Sequence, residues 1–314
     1  MSWRAAVAAA ATAIQVGSAM VATRLVVDQV GPASLALLRY LIGVSCLLPP
    51  VLLARPGPRF ARRDLAPIGL LGIGQFGILI ALLNYGLRSV PAARAALIFA
   101  TLPLLTTLLA AALGQERLTL ATVAGILSTI AGVGLALGEK ALARPSAAHE
   151  WVGEVAVLAS AATGAVCSVL YRPYLQRYPP LRVGALAMLA SVAFLAVPAA
   201  GEGFFGTPPR LTGTGWMAVL FIGGGSGLGY FLWLWALGQA SATRVTVFLA
   251  LSPVTATGLG GWLLGEPVSR TSLLGLAGVA IGLWLAHWPA VEPGSPAASR
   301  LAGQPERAAL EPPR

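Results

Sequence analysis

Residues 94–135 read RAALIFATLPLLTTLLAAALGQERLTLATVAGILSTIAGVGL, and residues 244–285 read RVTVFLALSPVTATGLGGWLLGEPVSRTSLLGLAGVAIGLWL. The second stretch lies on the first without a gap, at an offset of 150 residues. The offset superimposes residues in pairs: Arg94/Arg244, Pro103/Pro253, Thr107/Thr257, Glu116/Glu266, Gly125/Gly275, Gly132/Gly282 and, upstream, Gly74/Gly224 and Gly77/Gly227. Pro, Arg and Glu are scarce inside apolar runs, so their match at one offset indicates an internal repeat. Thr119 and Ser269 fall at equivalent N-cap positions of the helices that follow.

The composition places this repeat in a membrane. Of 314 residues, 57% are hydrophobic and 10% are charged, whereas about 25% of residues are charged in soluble domains. A soluble protein of this size could not hide so much apolar surface. Soluble enzymes, disordered chains and nucleic-acid binders are therefore excluded. The expected partners are the lipid bilayer and a small-molecule substrate, with no nucleic acid, and a second copy of the chain in a possible homodimer.

Charges and Pro/Gly clusters divide the chain into ten apolar segments. They cover residues 5–24, 33–54, 66–87, 92–113, 119–138, 152–171, 182–200, 214–236, 242–264 and 271–288. Most are close to the ~20 residues that a helix needs to cross a bilayer. No alternating strand pattern appears, so we predict an all-α, polytopic membrane protein. The first segment resembles a signal peptide, but it is too long for one and lacks a clean cleavage site, which favours a retained span.

The repeat and the span count together predict the domain organisation. We expect a first five-helix repeat over 1–138, a linker over 139–151, a second five-helix repeat over 152–288, and a disordered, proline-containing cytoplasmic tail over 289–314. Because five is odd, the second repeat inserts upside down relative to the first. The resulting pseudo-two-fold axis in the membrane plane is typical of secondary transporters whose substrate site lies between the repeats.

Basic residues in the loops predict the orientation. With the N-terminus inside, thirteen Arg residues lie on the inner side and seven Arg or Lys residues on the outer side. The positive-inside rule then places both termini in the cytoplasm, and the location is the inner (plasma) membrane. The net charge of +10 is spread between apolar runs rather than gathered on one face, which fits loops better than a nucleic-acid surface.

The repeated blocks also resemble the EamA family of the drug/metabolite transporter superfamily. The resemblance lies in Ser89–Leu97, Leu102–Leu104, Glu116–Leu118 and Gly125, in their second copies Ala242–Arg244, Leu251–Val254, Gly265–Pro267 and Gly275, and in Gly153–Val155 and Arg39. It covers residues 5–288 and implies ten spans in inverted halves, a central cavity, and export or uptake of small metabolites. In the first span this chain has Gln15-Val16-Gly17-Ser18 where the family often has Trp-Gly, so the substrate is not carried over.

Three rare residues inside spans are candidates for the central site. Pro103 and Pro253 each remove a helix hydrogen bond near the centre of a span, at Phe99 and Leu249. They are either tolerated kinks or a paired break that exposes backbone to a cavity. Arg39 is the one basic residue well inside a predicted span, where an unpaired cation costs several kcal/mol. It is either a substrate contact or a structural arginine that reaches outward.

Other polar and aromatic residues within spans are weaker candidates for the cavity lining. They are Gln15, Ser18, Gln75, Asn84, Tyr85, Thr163, Ser168, Tyr230, Trp233 and Trp235. A serine or threonine more often bonds its own helix, and the aromatic residues fit an interfacial belt. The two glutamines are favoured because a carboxamide in a span needs several partners. Glu116 and Glu266 fit the N-termini of the helices after them, with proton coupling as the less favoured alternative.

Neither a cofactor nor a metal site is expected. The G-x-G-x-x-G of Gly72–Gly77 follows no strand, so its glycines fit helix packing rather than dinucleotide binding. Cys46 and Cys167 fit small buried side chains. We therefore predict a non-enzymatic secondary transporter that moves amino acids or drug-like amphiphiles, with efflux as the favoured direction. The alternatives are a lipid or lipid-precursor flippase and, with Ser226 as nucleophile and His287 as base, an intramembrane serine hydrolase.

Overall fold

The computed structural model describes residues 1–53, 59–115, 120–143, 151–206, 209–266 and 268–286. These residues form helices and turns, and no strand occurs among them. In chain order the helices are α1 (Trp3–Arg24), α2 (Pro32–Leu53), α3 (Arg62–Gly86), α4 (Ala92–Ala112), α5 (Leu120–Ala143), α6 (Val152–Arg177), α7 (Pro180–Gly201), α8 (Gly213–Gln239), α9 (Ala242–Leu264) and α10 (Arg270–Ala286). The predicted all-α membrane fold is confirmed.

Eight of these helices are long and apolar enough to cross a bilayer. In α5 and α10 the apolar stretches, Val123–Leu135 and Arg270–Gly282, are shorter, so the count of ten spans stays a prediction. Side-chain caps open several helices, as expected for Ser and Thr at N-cap positions. The predicted cap at Ser269 is confirmed, because its hydroxyl accepts a hydrogen bond from Ser272 N at 3.0 Å. Thr119 lies outside the described residues.

The packing of the helices repeats when each helix is exchanged for its counterpart, the helix five places later in chain order. Helix α1 contacts α8 and α9, and its counterpart α6 contacts α3 and α4. Helix α2 contacts α8, and its counterpart α7 contacts α3. Three pairs of counterparts also contact each other directly: α2/α7, α4/α9 and α5/α10. The two halves are therefore related by a pseudo-two-fold axis.

The counterpart helices α5 and α10 run antiparallel, as inverted halves require. A Cβ added at Gly132 would lie 2.7 Å from Gly275 O, and one added at Gly282 would lie 2.6 Å from Gly125 O. Each contact is the image of the other under the offset of 150 residues. Helices α4 and α9 behave alike, since the start of α4 packs on the end of α9 and the end of α4 on its start. The inverted arrangement follows from these two pairs.

Of the two alternatives for Pro103 and Pro253, a kink or a break, the structure has a break ahead of each proline. Helix α4 is interrupted at Ala100 and Thr101, and Pro103 lies in the first turn of its second segment. Helix α9 narrows to a 3₁₀ turn over Val247–Ala250 before Pro253. A proline fits the first turn of a helix, where its missing N–H leaves no intrahelical bond unmade.

Two expectations need correction. Helix α6 runs to Arg177 instead of ending at residue 171, because the polar residues after the apolar run continue the helix until Pro179 and Pro180 end it. Cys46 is exposed on the surface of α2, whereas Cys167 is buried as predicted. Apolar membrane helices are covered by lipid on one side, so a position in an apolar run does not by itself mean burial in protein.

Candidate functional site

A central cavity lies where the two halves meet. Its lining comes from α1, α2, α3 and α4 of the first half and α6, α8 and α9 of the second: Thr12, Val16, Ala19, Met20, Thr23, Arg39, Gln75, Leu79, Ile80, Leu83, Phe99, Leu102, Ser168, Tyr230, Trp233 and Leu249. The volume is about 30 Å³, which is room for a few water molecules. The two sequence repeats both contribute, because Phe99/Leu249, Ile80/Tyr230 and Leu83/Trp233 are pairs at the offset of 150 residues.

Arg39 of α2 is the one charged residue of this lining. The side chain is 4% exposed, and its Nε donates a hydrogen bond to Ser226 Oγ on α8 at 2.5 Å. Its guanidinium carbon lies 5.6 Å from the centre of the Tyr40 ring. Among the described residues no carboxylate pairs with it. A buried cation without a counter-ion can bind an anionic group that enters the cavity.

Besides Arg39, the side chain of Gln75 brings a polar group with an unsatisfied acceptor to the cavity. It lies in a π-helical segment of α3, Ile73–Ile78, and is 5% exposed. Its Oε1 is buried without a hydrogen-bond partner among the described residues. Single π-helical turns inside α-helices occur frequently at functional sites, because the wider turn redirects side chains. The carboxamide can therefore bind a polar group of a ligand.

Aromatic side chains from both halves form the wall beside these polar groups. Tyr230 of α8 packs edge-on against Phe76 of α3, with ring centres 4.5 Å apart. Tyr40 of α2 lies 5.3 Å from Phe76, and its hydroxyl is 3.3 Å from that of Tyr230. Tyr230 and Trp233 line the cavity and suit the apolar part of a ligand, whereas Tyr40 and Phe76 are fully buried against Tyr230.

Comparison with known proteins identifies the family. The model of the EamA-like transporter family matches residues 3–138 and again residues 151–288. The chain belongs to the EamA-like transporter family. It is similar to a "Probable terminal-alkyne amino-acid exporter" of Streptantibioticus cattleyicolor, at 33% identity, with 86% of this chain and 90% of that protein covered. An "Uncharacterized transporter" of Archaeoglobus fulgidus is 26% identical over 86% of this chain and 93% of its own length.

A solved crystal structure also matches the fold. It superposes with a TM-score of 0.67 at 26% identity and covers 88% of this chain and 97% of the other. Since membership of the EamA-like family covers both halves, the chain is a small-molecule transporter with several membrane-spanning helices. The predicted resemblance is therefore confirmed.

Within this EamA-like fold, the cavity gathers four of the eleven predicted site residues: Arg39, Gln75, Tyr230 and Trp233. Pro103 and Pro253 are buried beside it, at the breaks that bring Phe99 and Leu249 to the lining. Ser168, a weaker candidate, also lines the cavity. The part that each of these residues plays in transport stays a prediction.

The other predicted residues lie elsewhere. Gln15 packs across Gly225 and Gly229 of α8, and Ser18 bonds Ile14 O in its own helix. Four further residues also lie outside the lining. Asn84 is buried, and its Nδ2 donates to Pro32 O at 3.0 Å, whereas Tyr85 is exposed. Thr163 bonds Ala159 O and faces a lateral groove, and Trp235 is partly buried.

Glu266 caps a helix of the opposite half, which the local sequence pattern did not predict. Its Oε1 accepts a hydrogen bond from Ala92 N, at the start of α4, at 3.1 Å. The same oxygen lies 3.5 Å from Arg24 Nε at the end of α1. The expected role at the following helix α10 is thus replaced by a link between the halves. Its repeat partner Glu116 lies outside the described residues.

Glu202 makes a second link of the same kind. Its carboxylate accepts hydrogen bonds from Ala33 N at 3.0 Å and Ser34 N at 2.7 Å, which are the first amides of α2. The Ser34 hydroxyl also donates to it at 2.6 Å. The residue is missed from sequence because it lies in a polar turn 168 residues from its partner. It joins the end of α7 to the start of α2.

Ser226 is placed as a structural partner of Arg39. Its hydroxyl donates to Ile222 O at 2.6 Å, four residues earlier in α8, and accepts from Arg39 Nε. A serine nucleophile instead donates its proton to a base. The base that the hydrolase alternative names, His287, lies outside the described residues. The hydrogen bonds of Ser226 therefore favour transport over hydrolysis.

Proposed function

We propose that the chain is a non-enzymatic secondary transporter that exports small organic metabolites bearing a carboxylate, by alternating access of the central cavity. Amino acids and drug-like amphiphiles are the candidate classes. The observation that carries this proposal is Arg39, a buried cation in the cavity with no carboxylate partner among the described residues. The relative in Streptantibioticus cattleyicolor named "Probable terminal-alkyne amino-acid exporter", at 33% identity, supports the amino-acid class.

A substrate carboxylate would complete the interactions that Arg39 leaves open. An unpaired charge in a membrane protein costs several kcal/mol, and a bound carboxylate offsets that cost. Guanidinium groups bind carboxylates in a bidentate geometry that fixes their orientation. Gln75 would bind a second polar group of the substrate, and the rings of Tyr230 and Trp233 would cover its apolar part.

The size of the cavity supports alternating access. Small-molecule sites usually enclose about 300–1,000 Å³, whereas this cavity holds about 30 Å³. An amino acid would therefore enter only after the halves move apart on one side. Because the halves are inverted copies, a movement that opens one side has an equivalent that opens the other.

Counterflow in proteoliposomes tests this proposal. Vesicles loaded with an unlabelled apolar amino acid are diluted into the labelled compound, and uptake is compared for wild type, Arg39→Ala and Arg39→Lys. Losing the charge should reduce initial uptake at least tenfold, and lysine should restore part of it because it keeps the charge without the bidentate geometry. Arg210→Ala, at an exposed arginine before α8, is the matched control.

Two further measurements decide the result. Each variant is checked by gel filtration, so that lost uptake is not confused with lost folding. Repeating the counterflow with the matching carboxylic acid, which lacks the amino group, separates amino acids from other carboxylates. Undiminished uptake by well-folded Arg39→Ala for every transported carboxylate would contradict the role assigned to Arg39.

A lipid or lipid-precursor flippase is the second candidate, and a lateral groove favours it. The groove has a volume of about 430 Å³ and is lined by Leu70, Leu71, Gly74, Ala162, Thr163, Val166 and Cys167. Gly74 and Cys167 are direct sequence neighbours of Gln75 and Ser168, which line the central cavity. The groove and the cavity are therefore lined by neighbouring residues of the same two helices, α3 and α6. A fluorescent phospholipid assay on the same vesicles distinguishes flipping from amino-acid counterflow.

A further inference from the structure

A separate groove lies between the last turns of α2 and the first turns of α7. Its volume is about 510 Å³, and its lining is Leu48, Val51, Leu52, Phe60, Arg182, Ala185, Leu186 and Leu189. Arg182 is the one charged residue of this lining. Leu52 is 79% exposed and Leu189 is 44% exposed, so the groove opens outward on the lipid-facing side of an apolar bundle.

The end of the molecule that carries this groove is strongly basic. Among the placed side chains at this end are eight arginines, Arg4, Arg59, Arg62, Arg63, Arg172, Arg177, Arg182 and Arg244, and one acid, Asp64. The opposite end carries five arginines, Arg24, Arg88, Arg94, Arg210 and Arg270, against four acids, Asp28, Glu154, Glu202 and Glu266. The groove thus lies at the end that attracts anions.

The start of α2, which corresponds in the first half to the start of α7, already holds an anionic group. Helix α7 is the repeat counterpart of α2, whose first amides are capped by the Glu202 carboxylate. Arg182 follows Pro180 by two residues, as Ser34 follows Pro32. Where Ser34 binds the carboxylate of Glu202, α7 presents an arginine to the groove. At the start of α7 the amide of Arg182 is already bonded to Pro179 O, so the feature that attracts an anion there is the arginine side chain in the groove.

We infer that this groove binds one anionic phospholipid, with its phosphate at Arg182 and an acyl chain along the leucines of α2 and α7. Arg182 and Leu189 are seven residues apart on α7, which is about 10 Å of helix rise. This matches the first part of an acyl chain lying parallel to the helix. Basic pockets between membrane helices are a recurrent form of anionic-lipid recognition. Because α2 and α7 belong to different halves, the lipid would hold the two halves together at this end.

Lipid-dependent thermal stability of the purified full chain tests this site. Unfolding temperature in detergent is measured against added phosphatidylglycerol, phosphatidylcholine or glycerol 1-phosphate. Phosphatidylglycerol should stabilise wild type more than phosphatidylcholine does, and glycerol phosphate should have no effect because it lacks acyl chains. In Arg182→Gln the apparent affinity for phosphatidylglycerol should fall about fivefold, since one basic residue near a membrane contributes about 1 kcal/mol.

Two further variants control for poor folding and for a general loss of charge. Leu186→Trp fills the groove while keeping Arg182, and it should weaken the response to phosphatidylglycerol even where Arg182→Gln folds poorly. Arg210→Gln removes an exposed arginine at the opposite end and should respond like wild type. Equal stabilisation by both lipids, or an unchanged response in Leu186→Trp, would overturn the site. Stabilisation by glycerol phosphate alone would replace it with a free-anion site. None of these readouts depends on transport.

Discussion

Tyr178 and Asp64 connect the two halves at the basic end, where α6 ends and α3 begins. The Tyr178 hydroxyl donates to Asp64 Oδ2 at 2.7 Å and accepts from Ala61 N at 3.1 Å. Arg177 Nη1 donates to the same Oδ2 at 2.8 Å. The phenol therefore bonds both a charged acceptor and the chain just before α3.

Tyr178→Phe should lower the free energy of unfolding by about 1–3 kcal/mol, because it leaves a carboxylate and an amide without their shared partner. The ring contact with Phe60, at 4.8 Å between centres, is kept. Denaturant unfolding in detergent micelles measures the change. Tyr174→Phe is the control, since the Tyr174 hydroxyl bonds no described residue. A loss of equal size in both variants would assign the effect to the phenol ring environment rather than to these hydrogen bonds.

Rarity inside an apolar run predicted a place in the central cavity for some single residues and not for others. Arg39 and Gln75 line the cavity, whereas Gln15, favoured on the same ground, packs against α8 outside the lining. Glu202 and Glu266 gave only a local signal, a carboxylate near a turn. Their partners, Ser34 and Ala92, lie in the other half of the chain, and no local pattern encodes such a contact.

Helices α5 and α10 approach closely because glycines line their contact. Gly132 is placed so that a Cβ would meet Gly275 O at 2.7 Å and Val279 N at 2.8 Å. Two residues further on, a Cβ at Gly134 would meet nothing within 4 Å. Small residues at such contacts let membrane helices pack backbone against backbone.

Gly132→Ala should destabilise the protein by about 1–3 kcal/mol, because the methyl group forces α10 away from α5. Gly134→Ala should be neutral or slightly stabilising, because alanine favours a helix by about 1 kcal/mol over glycine. Thermal unfolding of the two variants, side by side, measures this difference within one helix. Equal effects would mean that helix propensity, and not the contact with α10, governs both positions.

At the scale of elements, apolar length and proline position predicted most of the architecture. The predicted spans begin and end within a few residues of the helices, except where α5 continues to Ala143 and polar residues extend α6 to Arg177. Breaks in α4 and α9 were one of the two alternatives that Pro103 and Pro253 left open. The π-helical segment Ile73–Ile78 was not, because an extra residue in a helical turn leaves no compositional signal.

For the whole molecule, the offset of 150 residues predicted an inverted pair, and the antiparallel packing of α5/α10 and α4/α9 agrees with it. What the offset could not predict is which contacts differ between the two ends, since those depend on residues that the repeat does not share. The ion pair of Arg24 with Glu266 is such a contact, because the offset places Tyr174 at the position of Arg24. The cap of Ala92 N by Glu266 is added to it, between two residues that the repeat does share. Together these two contacts tie α1 and α4 of the first half to the turn after α9 of the second. Under the proposed alternating access, this end would open only when they break.

Glu266→Gln should therefore favour opening at this end. The amide keeps an acceptor for Ala92 N but loses the charge that attracts Arg24, a difference of about 1 kcal/mol and hence about a fivefold larger open population. A cysteine at Thr23, which lines the cavity beside Arg24, reports the opening when Cys46 and Cys167 are replaced by serine. A membrane-impermeant maleimide should label it about five times faster in Glu266→Gln than in its parent. Asp28→Asn, at an exposed carboxylate of the same end, should leave the rate unchanged. Equal labelling in all three proteins would mean that the Arg24–Glu266 pair does not restrain the halves, and that the narrow cavity is closed by the apolar contacts around it instead.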